Sequence, residues 1–316
     1  MSIEDYRASY EAEVAAALDD AARNTAADPL TSSPDRSGEA RLAGPDDGVR
    51  AVVQDAGADA SARVAAIDAA RLDAISQPDV VRLLLALLQD QTDDPAVRHA
   101  ALGALEELSF AVATFAPYDA EYHSALRAAA TDADPPLREA VLEVLALDHD
   151  EYAQRLLVDG LQDPSAALVD RTRALQFLGY DLHAGHYEML REIVAQATDP
   201  EERTAALRLL AADSGSAELF RRIVQDRSED VAARTTSAVA LSSLEPTAFA
   251  PVARQIVLDE SDDDDLRAVC LTALTVTPAD DGDPDLADRV MSGQAAPSTE
   301  LKQAVDRYRE TKAPGG

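Results

Sequence analysis

The sequence predicts an all-α protein built as an α-solenoid of about seven to eight helix pairs, and three observations carry that prediction. An eight-residue core recurs along the chain, an acid stands four residues before most copies, and a second apolar-periodic segment lies between one copy and the next. A fixed period of roughly 20 to 50 residues marks units that cannot bury an apolar face alone and stack on their neighbours to do so.

Each core opens on arginine: RVAAIDAA at Arg63, RHAALGAL at Arg98, REAVLEVL at Arg138, RTRALQFL at Arg171, RTAALRLL at Arg203, RTTSAVAL at Arg234 and RAVCLTAL at Arg267. A weaker eighth, KQAVDRYR, begins at Lys302, and the anchors lie 35, 40, 33, 32, 31, 33 and 35 residues apart. Three residues past the anchor the side chain is small, as in Ala66, Ala101, Ala174, Ala206, Ser237 and Cys270. Four past it stand Ile67, Leu102, Leu142, Leu175, Leu207 and Leu271, and the seventh is mostly Leu. Steps of three and four fall on one helical face. Small residues there admit a close neighbour, and the Leu rows supply the buried area.

The acids Asp59, Asp94, Asp134, Asp199, Asp230 and Asp263 precede their anchors by four, and Pro95, Pro135 and Pro200 follow three of them. A carboxylate caps the free amides of a helix start, and proline fits the first helical position because its missing N–H is not needed there. Segments such as DVVRLLLALLQD from Asp79 and AELFRRIVQD from Ala217 supply the other helix of each pair. The recurrent arginine is expected to pair with its own upstream acid or with the acid of the adjacent unit, a ladder that sets the stacking. One unit departs: DPSAALVDRTRAL puts Asp163 and Pro164 about a turn further upstream of Arg171, which predicts a longer second helix.

With DPAVRHAAL and DPPLREAVL as its closest copies, the pattern resembles the HEAT-repeat family, in which a first helix, a tight turn and a second helix beginning D-x-x-[VL]-R recur. The resemblance covers residues 48–311. It implies a right-handed α-solenoid of HEAT-like, armadillo-like pairs whose concave wall is built by the second helices, and a role in scaffolding and protein binding. Before it, residues 1–27 carry Ile3, Tyr6, Tyr10, Val14 and Leu18 at helical spacing, an amphipathic helix suited to capping the first unit or capturing a partner. Residues 28–47 read as a flexible linker and 312–316 as a disordered tail.

The formal net charge of -31, from 59 acids against 28 Lys and Arg, opposes binding to a nucleic-acid backbone or an anionic membrane. Only Lys302 and Lys312 are lysines, and Asp outnumbers Glu by roughly two to one. Compositional bias or a salt-rich cytoplasm, as in a halophile, accounts for this; so does an acidic surface selected for a basic partner. One cysteine excludes an intramolecular disulfide framework, and the first residues lack the pattern of a signal peptide. The expected location is the cytoplasm.

Chemistry-bearing patterns are sparse, and no catalytic residue, cofactor or metal is expected. His183 and His186 form H-x-x-H, but Gly185 breaks the helical spacing and no third ligand stands near. Asp148 to Asp150 read as a turn whose last Asp caps the next helix, and Cys270 as a small core residue. In Ser109 to Ser124, Phe110, Phe115, Tyr118 and Tyr122 suit two longer helices packed on each other or, alternatively, a binding hot spot. The functional expectation is therefore a non-catalytic scaffold or adaptor binding a protein or peptide along its concave face. Two alternatives are a HEAT-like enzyme related to the bilin lyases, which rests on the resemblance alone, and an acidic nucleic-acid mimic that binds a basic protein. Positions one and five past the central anchors point away from the Leu face and should line the wall: Glu139, Glu143, Thr172, Gln176, Thr204 and Arg208. Tyr180, nine past Arg171, would add an aromatic anchor.

Overall fold

The computed structural model describes residues 45–55, 57–74, 78–181, 186–277, 283, 285–292 and 297–312. The chain divides into residues 1–45 and 46–316, and the second unit holds the anchored helices. Among the described residues the regular structure is entirely helical. The expected N-terminal helix of residues 1–27, most of the linker, His183 and residues 313–316 lie outside the described residues, whereas Lys312 ends the last helix.

The helices are α1 (Pro45–Gln54), α2 (Ala60–Ala74), α3 (Pro78–Gln89), α4 (Pro95–Ser109), the one-turn α5 (Val112–Phe115), α6 (Asp119–Ala129), α7 (Pro135–Leu147), α8 (Glu151–Gln162) and α9 (Arg171–Leu178). They continue with α10 (Tyr187–Gln196), α11 (Pro200–Leu210), α12 (Ala217–Gln225), α13 (Val231–Leu244), α14 (Pro246–Leu258), α15 (Asp264–Val276), α16 (Leu286–Ser292) and α17 (Thr299–Lys312). The arginine-anchored helices pack one on the next: α2 on α4, then α7, α9, α11, α13, α15 and finally α17. Each from α4 onward also packs on a helix that precedes it, α3 on α4, α6 on α7 and so on to α16 on α17. The contacts follow from the sequence rows. Ala101, Val141, Ala206 and Cys270 are fully buried, as are Leu142, Leu207 and Leu271 one position further on.

The helix starts are capped as the Asp positions require. Asp94 accepts from the Ala96 amide at 2.9 Å, Asp134 from Leu137 at 2.9 Å, Asp199 from Glu201 at 3.0 Å and Asp230 from Ala232 at 2.8 Å. Those carboxylates are thus occupied, and the anchor arginines mostly use other acids. Arg63 holds Asp93 through two bonds of 2.6 and 2.7 Å, Arg98 holds Asp132 at 2.7 Å, and Arg234 holds Asp262 at 2.7 and 2.8 Å. Arg171 and Arg203 reach Glu202 and Glu229. Each of these acids lies some thirty residues downstream, in the next unit. On its other side the guanidinium donates to a carbonyl at the end of the preceding helix: Val53, Leu88, Leu161, Val224 or, for Arg267, Val257. One arginine therefore ties its own pair together and that pair to the next.

Arg267 pairs with Asp264 of its own first turn at 2.9 Å, and Arg138 departs further from the rule. It donates to the Leu168 carbonyl at 2.7 Å and the Asp132 carbonyl at 2.6 Å. Leu168 belongs to the departing unit, where the expected longer second helix does not form. Asp163 instead caps a 3-10 turn, Pro164–Ala166, through the Ser165 amide at 2.9 Å. The chain then runs on to Asp170, which caps α9 through Arg173 at 2.8 Å, so the second helix is short. Gly160 makes room for this path: a Cβ there would meet Ala167 Cα at 2.9 Å.

The aromatic stretch likewise departs from two long helices. Between α4 and α6 the chain makes α5 and a 3-10 turn, Ala116–Tyr118. Phe115 and Tyr122 are buried edge to face at 5.4 Å, while Phe110 is 80% exposed. At the α7–α8 turn, Asp150 caps α8 through Tyr152 and Ala153, as the DHD pattern suggested. His149 adopts φ 55°, and the Asp150 amide bonds the Leu145 carbonyl at 2.9 Å, which closes α7 as a left-handed C-terminal cap.

Candidate protein-binding face

The anchored helices present one line of residues away from the buried rows, and from α7 to α15 exposure along it rises toward the C-terminal end of the helix, whereas in α4 His99 at the first position is already exposed. At the first position past the anchor, Glu139 and Thr172 are half-buried, and Thr204 is only 5% exposed. Thr204 is therefore removed from the expected wall: beside the buried Ala205 and Ala206 it offers no side chain to a partner. At the fifth position Glu143 is half-buried, while Gln176, Arg208 and Val239 are exposed. At the ninth position Glu107, Leu147, Tyr180, Ala212, Ser243 and Val276 are all exposed. Four of these, Leu147, Tyr180, Val239 and Val276, are large apolar side chains left in water, Val276 at 70%. A buried row would have consumed them.

At the centre of the line the structure joins several expected residues through one that the sequence did not single out. Arg173 donates from Nε to Glu139 at 2.7 Å, from one terminal nitrogen to Glu143 at 3.0 Å and from the other to Gln176 at 3.1 Å. Its guanidinium carbon lies 4.7 Å from the Phe177 ring centroid, a cation–π contact. Tyr180 closes the group by donating its hydroxyl to Glu143 at 3.2 Å. Burial, then the Glu143 carboxylate, hold the Tyr180 phenol above its usual pKa. The two glutamates expected on the wall thus share one cation. The signal for Arg173 was a break in a column: sister units have Ala100, Ala140, Ala205, Thr236 and Val269 at that position.

Beside this group, Gln176, Gly179, Tyr180, Arg208 and Leu209 line a cleft of about 370 Å³ between α9 and α11. Of the expected residues, Gln176, Tyr180 and Arg208 meet here, Glu139 and Glu143 support them through Arg173, and Thr172 stands apart at the start of α9. The chemistry offered is recognition: a phenol, an amide and a guanidinium around a small apolar floor. Among the described residues no cluster of three or more His, Cys, Asp or Glu side chains is placed to hold a metal ion. His186 lies at the start of α10, away from this face. Cys270 is fully buried, and burial pushes its thiol up to about 12. No described helix is long and apolar enough to cross a membrane. Compared with known proteins, the chain matches no family model and no curated sequence.

Proposed function

We propose that the protein is a non-catalytic scaffold or adaptor: a right-handed α-solenoid of HEAT-like helix pairs that binds a protein or peptide along the concave wall of its anchored helices. The observation that carries this is the set of exposed apolar side chains at the ninth position, Leu147, Tyr180 and Val276, with Val239 at the fifth, in four of the five anchored helices from α7 to α15; the Arg203 unit has Arg208 and Ala212 there. Apolar side chains repeated in register on one face suit an extended partner, and aromatic and apolar anchors of this kind concentrate interface energy. The Arg173 group supports the same reading, because it holds Tyr180 and Gln176 in fixed positions before any partner arrives, which lowers the ordering cost of binding. The net charge of -31 disfavours nucleic acid and favours a partner with basic character.

Photo-crosslinking tests this directly. A photoreactive amino acid placed at Tyr180 or Val239 should capture one discrete protein from the native lysate, and the same probe at Arg155, on α8, should not. Capture at Arg155 with silence at Tyr180 and Val239 would move the partner to the other side of the helix pairs.

A further inference from the structure

The irregular unit has a second consequence on a different surface. The 3-10 turn after α8, held close by Gly160, leaves a cleft of about 910 Å³ between the end of α8 and α10. Its apolar lining includes Leu161, Pro164, Met189 and Ile193. Three carboxylates, Glu188, Glu192 and Glu202, line it against one guanidinium, Arg171, and that guanidinium is already bound to Glu202 at 2.8 Å. Glu188 and Glu192 are exposed and have neither an ion pair nor a hydrogen bond among the described residues. They stand four apart on α10, one above the other on a single helix face. Two uncompensated carboxylates therefore stand in a mainly polar cleft beside the exposed Pro164 and the half-buried Met189, Leu161 and Ile193 being buried behind them.

We propose that this cleft docks an extended basic segment of a partner protein, with Lys or Arg at alternate positions. Three features match. In an extended chain, alternate side chains lie on the same face about 6.8 Å apart, close to the spacing of about 5 to 6 Å between helical positions four apart. Long basic side chains cover apolar surface with their alkyl stems while the charged heads reach outward, which suits the accessible Pro164 and Met189 that line the cleft with Glu188 and Glu192. The acidic field of the whole molecule draws a cationic segment toward the cleft and speeds encounter. The cleft is lined by α8 and α10 with Arg171 of α9 and Glu202 of α11, and includes neither Tyr180 nor Val239, so it stands or falls independently of the face proposed above.

The test uses the full chain and a fluorescein-labelled hexapeptide of alternating Arg and Leu, followed by fluorescence anisotropy at low salt. Binding should weaken about tenfold in the double variant Glu188→Gln, Glu192→Gln, the loss expected for two partly exposed ion pairs. A control variant with two exposed acids removed elsewhere, Glu121→Gln with Asp265→Asn, should bind within about twofold of wild type, since screening limits the reach of distant charges. A peptide with Glu in place of Arg should not bind, and spermidine should compete only weakly because it lacks the peptide's array of side chains. Equal weakening in the control variant would reduce the effect to general attraction by an acidic surface. Full competition by spermidine at equal concentration would make the cleft a site for small polycations. Unchanged binding in the Glu188, Glu192 variant would remove the cleft from consideration. Circular dichroism of both variants, matching wild type, keeps each outcome interpretable.

Discussion

Removing Asp262 should be far more costly than removing an exposed acid of the same type. Asp262 accepts two bonds from Arg234, at 2.7 and 2.8 Å, and both side chains are 5% exposed. In Asp262→Ala the guanidinium keeps its Nε bond to the Val224 carbonyl at 3.1 Å, but both terminal nitrogens are stranded away from water. Two charge-assisted bonds at about 1.5 to 3 kcal/mol each give a loss of roughly 3 to 6 kcal/mol, in line with the roughly 3 to 5 kcal/mol typical of a broken buried pair. Asp288→Ala is the comparison: its partner Arg309 is as close, at 2.6 Å, but the pair is exposed and worth about 0 to 1 kcal/mol. Urea unfolding followed by far-ultraviolet circular dichroism reads both variants. Replacing both partners, Arg234→Met with Asp262→Leu, should recover most of the loss because no buried charge remains. Titration adds a signature. Burial raises the Asp262 carboxyl, but the bonds from Arg234 and the Asp263 amide outweigh it, so the group titrates below the usual range. A depressed folded pKa means that the stabilisation is complete above the unfolded value of about 3.9 and is lost as the pH falls through the folded value. The gap between wild type and Asp262→Ala should therefore be constant from neutral pH down to about 4 and narrow only below it. An Asp262→Ala loss no larger than that of Asp288→Ala would refute the ladder as a structural device.

Three further outcomes are expected. Leu142→Ala and Leu207→Ala should each cost about 2 to 5 kcal/mol in the same urea assay, because both side chains are fully buried in the repeated row. His149→Gly should stabilise the chain by about 1 kcal/mol, since glycine occupies the left-handed cap of α7 without the penalty that a Cβ carries, and a higher urea midpoint would show it. Cys270 should resist a thiol reagent such as dithiobis-nitrobenzoate in the native protein at pH 8 and react at once in denaturant, because burial keeps the thiol protonated and out of reach.

How much could be read from the residues alone varied with the distance over which the physics acts. Helix starts were legible because Asp94, Asp134, Asp199 and Asp230 act on amides two or three residues away. The core rows were legible because period determines face, and Ala206 with Leu207 lies where that period puts it. The ladder was only half legible. Three of its acceptors, Asp93, Glu229 and Asp262, stand directly before their caps, but Asp132 lies two before its cap and Glu202 three after, so that column marks only part of the ladder. The stretch after Asp163 was misread as helix because an Asp-Pro pair caps a 3-10 turn as readily as an α-helix. At the candidate face, Gln176, Tyr180 and Arg208 were reachable by counting from the anchor. The burial of Thr204 was not, because it depends on how closely α11 is approached by its neighbours, which a single helix does not encode.

The rung at Arg138 has a mechanical meaning. At the Arg63, Arg98 and Arg234 boundaries an acid and a guanidinium meet with side chains no more than 10% exposed, where dissolved ions have little effect. Between α7 and α9 the half-buried Arg138 bonds carbonyls, and the ionic contact has moved outward to Arg173, Glu139 and Glu143, whose side chains are 32%, 41% and 35% exposed. This joint is therefore fastened where counterions can enter. Raising ionic strength loosens it most, the part-exposed Arg171–Glu202 and Arg203–Glu229 pairs less, and the Arg63, Arg98 and Arg234 rungs least, so compliance beside Tyr180 is set by the salt in which the protein works.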